Sequence, residues 1–83
     1  MQAQHRDQIV QVWKISDSSL ENWVQEAFDS KKIKWHNKEH SRIQVNAPWA
    51  VVFGDLGDYL VLNGRDLEIV SQRKFEREFI LLP

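Results

Sequence analysis

The chain has 83 residues, 42% of them hydrophobic, with four Trp, four Phe and no Cys. That is the length of one domain, with enough large apolar side chains for one core, and it excludes a disulfide framework or a thiolate metal site. Eleven Lys and Arg against twelve Asp and Glu, a formal net charge of -1, exclude attraction of the whole molecule to nucleic acid or an anionic membrane, so such binding needs a local patch.

Met1 to Gln8 is polar and carries no apolar segment of a signal peptide. It reads as a disordered tail, residues 1–8, ahead of a single domain over residues 9–83. No run reaches the ~20 apolar residues of a membrane span. The expected location is therefore the cytoplasm, with no membrane partner.

Ile9 to Ile15, IVQVWKI, is rich in β-branched and aromatic residues and predicts a strand packed on both faces. Ser18-Ser19-Leu20-Glu21 has the Ser-x-x-Glu spacing of a capping box. Leu20, Trp23, Val24, Ala27 and Phe28 then recur at helical spacing. These signals predict a helix from Ser19 to Ser30, with Lys31 and Lys32 near its negative C-terminal end.

The period then changes to two. Ile33 and Trp35 alternate with Lys32, Lys34 and His36, and Ile43 and Val45 alternate with Arg42, Gln44 and Asn46. For both apolar pairs to share a face, Trp35 must oppose Ile43 and Lys34 must oppose Gln44, around a loop within Asn37 to Ser41. Pro48 marks a turn, so Trp49 to Phe53 is the next expected strand and Gly54-Asp55-Leu56-Gly57 the next turn. Tyr59 to Leu62 and Asp66 to Val70 flank Asn63-Gly64, a type I′ signal. A turn centred on that dipeptide pairs Leu62 with Arg65 and Leu60 with Leu67, and gathers Leu60, Leu62, Leu67 and Ile69 on one face. Ser71 is placed to cap a short helix over Gln72 to Arg77, with Phe75 and Phe79 four apart, before Phe79 to Leu82 closes the chain as a strand or a docked extended tail.

The predicted class is α+β: a small, mainly antiparallel sheet curled around one amphipathic helix, in the order βαββββ followed by a short C-terminal helix and strand.

Gly57-Asp58-Tyr59-Leu60-Val61, Leu67-Glu68-Ile69 and Phe75-Glu76-x-x-Phe79 together resemble the ending of a group of short bacteriophage and prophage proteins of uncharacterised function. Those chains end in Gly-Asp-Trp/Tyr-Ile-Ile, a Gly-containing turn, a second strand and Phe-Glu-x-x-Tyr. The likeness extends loosely over residues 9–79 and is sharp over 57–79. Here the turn is shorter, Val70-Ser71-Gln72-Arg73 replaces a Pro-Cys-Lys-Pro stretch, and the last aromatic is Phe79. The resemblance implies a phage origin and a fold; it carries over no chemistry.

His36 and His40, with Glu39 beside them and His5 further off, have residue types that bind metal, but their spacing falls on a hairpin loop and reads as solvated histidines. Asp55 and Asp58 are ordinary turn residues, and Asp66 and Glu68 belong to a strand's outward face. Nothing forms a Ser-His-Asp set or a phosphate-cradling Gly loop, so no catalytic, cofactor or metal site is assigned. The candidate binding feature is a basic hairpin face of Lys32, Lys34, His36 and Arg42, with Gln44 among them and Lys31 and Lys38 nearby. Trp35 and Trp13 are expected to point into the core, away from any stacking role. Trp49 is a second candidate, as an exposed anchor for a partner protein. Residues 55–78 hold six acids against four bases, a weak excess for imitation of nucleic acid.

These features lead to an expectation of a non-enzymatic, phage-type protein-binding module. Its expected role is to inhibit a host defence nuclease, as an anti-CRISPR or anti-restriction protein, by occlusion. One alternative is a small nucleic-acid-binding module using the basic hairpin face. Another is a phage accessory protein of unrelated function. The expected partner is a host or phage protein, with nucleic acid second and no cofactor.

Overall fold

Period-two patterning governs most of the chain, and the fold is mostly sheet. The computed structural model describes residues 1–16, 20–48 and 50–83. Among them lie strands β1 (Gln2–His5), β2 (Gln8–Lys14), β3 (Ile33–Trp35), β4 (Arg42–Asn46), β5 (Val51–Asp55), β6 (Tyr59–Asn63), β7 (Asp66–Val70) and β8 (Phe79–Leu81), with helices α1 (Asn22–Asp29) and α2 (Gln72–Glu78). The α+β class holds, and every pairing is antiparallel. The single curled sheet is corrected to two: five strands in the order β7-β6-β2-β1-β8, and three in the order β3-β4-β5.

The five-stranded sheet is buried on both sides. Trp13, Ile15 and Leu60 on one face pack with Val24 and Ala27 of α1 and with Ile33, Ile43 and Val45 of the small sheet. On the other, Val10, Val12, Tyr59 and Val61 pack with Ala3, Val70 and Phe75. The expectation that residues 9–15 pack on both faces is met from Val10 to Ile15, while Ile9 is exposed. Tyr59 and Phe75 stack at 3.7 Å between centroids, Phe75 and Phe79 at 4.8 Å, and Phe79 and His5 at 4.3 Å. This aromatic column fastens α2 and β8 to the sheet.

Residues 1–8 are not a disordered tail. Gln2–His5 pairs with β2 on one side and β8 on the other, which satisfies its backbone groups in the sheet's interior. Of its side chains, Ala3 is fully buried. The predicted helix from Ser19 also shortens: α1 starts at Asn22, Glu21 occupies the N-cap with its side chain bonded to the Met1 ammonium and not to the helix N–H groups, and Leu20 is exposed. Two turns suffice to bring Trp23, Val24, Ala27 and Phe28 onto the core. Ser18 and Ser19 of the expected capping box lie outside the described residues. Ser71 does cap α2, its side chain accepting from Lys74 N–H at 3.3 Å.

The first hairpin has the predicted register, with Trp35 opposite Ile43 and Lys34 opposite Gln44. The second is shifted. Asn63 pairs with Asp66, Leu62 with Leu67 and Leu60 with Ile69, because only Gly64 takes a positive φ, +65°, at the first central position of the turn, as in a type II′ connection. A two-residue shift preserves side-chain parity, so Leu60, Leu62, Leu67 and Ile69 still share one face. The expected turn from Gly54 also moves, to Leu56–Asp58, since Gly54 and Asp55 remain in β5. A Cβ at Gly54 would lie 2.8 Å from Ile15 Cδ1 and 2.8 Å from Ile69 Cδ1. Glycine lets the two sheets approach there.

Candidate binding surface on the three-stranded sheet

A three-stranded sheet with one face on a core leaves the other face to solvent. Ile33, Ile43 and Val45 point inward and are fully buried. The intervening residues form the open face. Lys34, Gln44 and Phe53 make one row across the strands, Arg42 and Asp55 a second, and Asn46 and Val51 a third. His36, just past β3, donates its N–H to the Arg42 carbonyl at 2.7 Å and extends the second row.

The predicted residues Lys34, His36 and Arg42 thus do come together, and all three are exposed. Arg42 is engaged: its Nε donates to Asp55 Oδ1 at 2.8 Å. That hydrogen bond first, and the Asp55 charge second, raise the Arg42 pKa above its ordinary value. Lys34 enters no ion pair among the described residues. Lys32 departs from the group and lines a cleft between α1 and the β6–β7 hairpin, beside Arg65 and Leu67. Trp49, the other candidate, lies outside the described residues.

The feature the sequence reading missed is Phe53. The residue is 44% exposed, midway along the edge strand β5 on this face. His36 meets it edge to face at 4.8 Å between centroids, and Arg42 Cζ lies 5.9 Å from its centre. Val51, on the same face, is 51% exposed. The signal was the parity of VVFGD: once Gly54 opposes Ile43, Phe53 must point outward. Trp13 is buried and Trp35 half-buried as expected, with Trp35 stacked on His40 at 4.7 Å. Phe53 therefore supplies the exposed aromatic that neither Trp provides.

The remaining candidates have structural places. The three histidines are apart, each against an aromatic ring: His5 on Phe79, His36 on Phe53, His40 on Trp35. Among the described residues no three His, Asp or Glu side chains are grouped to hold a metal ion. Asp58 Oδ2 accepts from the Asp55 N–H at 3.1 Å and Oδ1 from the Gln72 N–H at 3.3 Å. It joins the β5–β6 turn to the first turn of α2. No helix among the described residues is long and apolar enough to cross a membrane.

The face can bind by two kinds of contact at once: charge-assisted hydrogen bonds from Lys34, His36 and Arg42, and apolar stacking on Phe53. Comparison of the chain with protein-family models, curated proteins and solved structures finds no match.

Proposed function

We propose that this chain is a non-enzymatic binding module whose ligand is single-stranded nucleic acid, held on the open face of the three-stranded sheet. The observation that carries the reading is Phe53, exposed on the edge strand β5 of a face that also presents Lys34, His36, Arg42 and Gln44. A base stacks on the ring while neighbouring cations meet the phosphates, a combination that tolerates any base sequence. Few cations make the binding weak and salt-sensitive.

The test is fluorescence anisotropy with a labelled oligothymidylate at several salt concentrations. Neutralising about two or three phosphates predicts a log–log salt slope of about -1 to -2. Phe53→Ala should weaken binding about 5- to 100-fold, the range expected for one stacked base. A duplex of the same length, whose bases are already stacked, should bind less well. No binding at low salt, or an unaltered affinity in Phe53→Ala, overturns the reading.

A second reading has its own support. Val51 and Phe53 are apolar and exposed side by side, and the likeness to phage proteins favours a protein target such as a host defence nuclease, blocked by occlusion. A pull-down from nuclease-treated bacterial lysate separates the two: a host nuclease retained after treatment, and lost on Phe53→Ala, supports occlusion. Recovery of nucleic acid only from untreated lysate supports the first reading.

A further inference from the structure

The edge strands of the two sheets are β7 and β8 in the large one and β3 and β5 in the small one. An edge strand carries a row of backbone N–H and C=O groups with no neighbour, and proteins blunt such rows with charge, proline or local structure. The phase of each ladder says which groups these are. Ala47 N–H donates to the Ala50 carbonyl and Leu56 N–H to the Ser41 carbonyl. Residues 50, 52, 54 and 56 therefore bond toward β4, while Val51, Phe53 and Asp55 turn their backbone groups away from it. By the same alternation the outward residues are Ile33 and Trp35 in β3, Leu67 and Ile69 in β7, and Phe79 and Leu81 in β8.

Each outward pair can be closed by the same pair in a second, antiparallel copy, with the residue between them opposite its own counterpart on a twofold axis. In β3 this sets Lys34 against Lys34, and in β7 Glu68 against Glu68, like charges directly opposed. In β8 Ile80 meets Ile80, but the Phe79 N–H already donates to the Phe75 carbonyl of α2, which removes half of the outward donors. β5 differs from all three. Its central residue is the uncharged Val52, no Lys, Arg or Pro lies in Val51–Asp55, and the N–H and C=O of Val51 and Phe53 have no partner among the described residues. The side chains add to the match. Val51 and Phe53 are both exposed, and the register places Phe53 of one copy opposite Val51 of the other, an aromatic and a β-branched residue that pair favourably on a sheet face. Past Phe53, the Asp55 N–H donates to Asp58 Oδ2 and the Asp55 carbonyl accepts from the Asp58 N–H, so the free row ends there.

We propose that β5 is a self-association edge: it pairs antiparallel with β5 of a second copy of this chain, Val51 against Phe53, and doubles the three-stranded sheet into one continuous sheet. The twofold axis is perpendicular to that sheet, so both open faces lie on the same side. The pairing is made by backbone groups and does not depend on what the open face binds. Strands this short bury less than a standard interface, which sets a weak dimer with a Kd of about 10 μM to 1 mM.

The experiment is sedimentation equilibrium of the full chain, free of nucleic acid, across that range of concentration. The average mass should rise from 9.9 kDa toward twice that value. Val51→Pro removes one outward N–H from each copy, at an edge position where proline is tolerated. Val51→Lys keeps the N–H and places a charge on the edge. Each should weaken association about ten-fold or more, the scale of two hydrogen bonds, with the circular dichroism of the monomer unchanged. Cross-linking reads the register. The chain has no Cys, so Val52→Cys supplies a single thiol at the twofold axis, half-buried in the monomer, and Ile80→Cys supplies a more exposed one on β8. Under mild oxidation Val52→Cys should form disulfide-linked dimers faster than Ile80→Cys, against the order of exposure. A mass that stays at 9.9 kDa up to about 1 mM overturns the proposal, as does undiminished association in both Val51 variants or faster cross-linking at position 80.

Discussion

His36 meets the ring of Phe53 edge to face, 4.8 Å between centroids, across the intervening strand β4. The contact braces an exposed aromatic from one edge, while the Arg42 guanidinium lies 5.9 Å from the ring's centre. It also brings a donor beside the position where a stacked base would present its phosphate.

His36→Ala is therefore expected to weaken oligothymidylate binding, though less than Phe53→Ala, since it removes the brace and leaves the platform. Both side chains are exposed, so neither change should alter stability by more than about 0.5 kcal/mol. Anisotropy titrations beside urea denaturation, followed by Trp fluorescence, check both halves.

Gly54→Ala should destabilise the fold by about 1–3 kcal/mol, the range for overpacking a filled core. The added methyl group would press on the Cδ1 atoms of Ile15 and Ile69, each 2.8 Å from the Cβ position. A lower urea midpoint with an unchanged slope is the expected outcome. An unchanged midpoint would mean that the sheets are not in close contact at β5.

Lys31 closes α1 in the left-handed region, φ +64°. Its N–H donates to the Phe28 carbonyl and that of Lys32 to the Ala27 carbonyl, each at 3.0 Å, the bonding of a Schellman motif whose left-handed position usually carries glycine. Lys31→Gly should stabilise the chain by about 0.5–1 kcal/mol, the relief of side-chain strain less the added freedom of the unfolded state. Thermal melting of the two proteins side by side measures it.

Asp58→Ala removes the acceptor for two backbone N–H groups, those of Asp55 and Gln72. The expected loss is about 1–2 kcal/mol. Hydrogen exchange should localise it, with faster exchange at Asp55 and through the first turn of α2.

The Glu78 carboxyl is held below its ordinary pKa chiefly by the hydrogen bond from Arg77, which outweighs the opposing effect of desolvation, with the charges of Lys74, Arg77 and His5 adding in the same direction as that bond. An acid with a depressed folded-state pKa stabilises the fold above its unfolded pKa, about 4.3, and loses that contribution as pH falls through the folded value. Glu78→Gln should thus be less stable than the parent at pH 7, with the gap closing below about pH 4. Urea midpoints of both proteins from pH 7 to about pH 3 test the sign.

Local rules were enough for much of this fold. Alternation of Ile33, Trp35, Ile43 and Val45 specified the first hairpin to the residue, because a one-residue slip would have moved Trp35 and Ile43 to the solvent side. Ser71 marked the start of α2, since a hydroxyl at that position meets a free N–H within its own turn. The basic grouping of Lys34, His36 and Arg42 was visible for the same reason of parity.

What escaped local reading depends on partners distant in the chain. Gln2–His5 is a strand only because β2 and β8 flank it, and its polar composition holds no sign of either neighbour. The β6–β7 turn could centre on Asn63-Gly64 or Gly64-Arg65 without changing which side chains face the core, so hydrophobic patterning could not choose between them. Lys32 has the parity of Lys34, yet it lines a cleft whose far wall is Arg65 and Leu67, more than thirty residues away. Phe53 faces solvent because Gly54 must lie against Ile15 and Ile69 where the sheets meet. Periodicity assigns side chains to two faces of a strand, but which face is covered is settled by long-range packing.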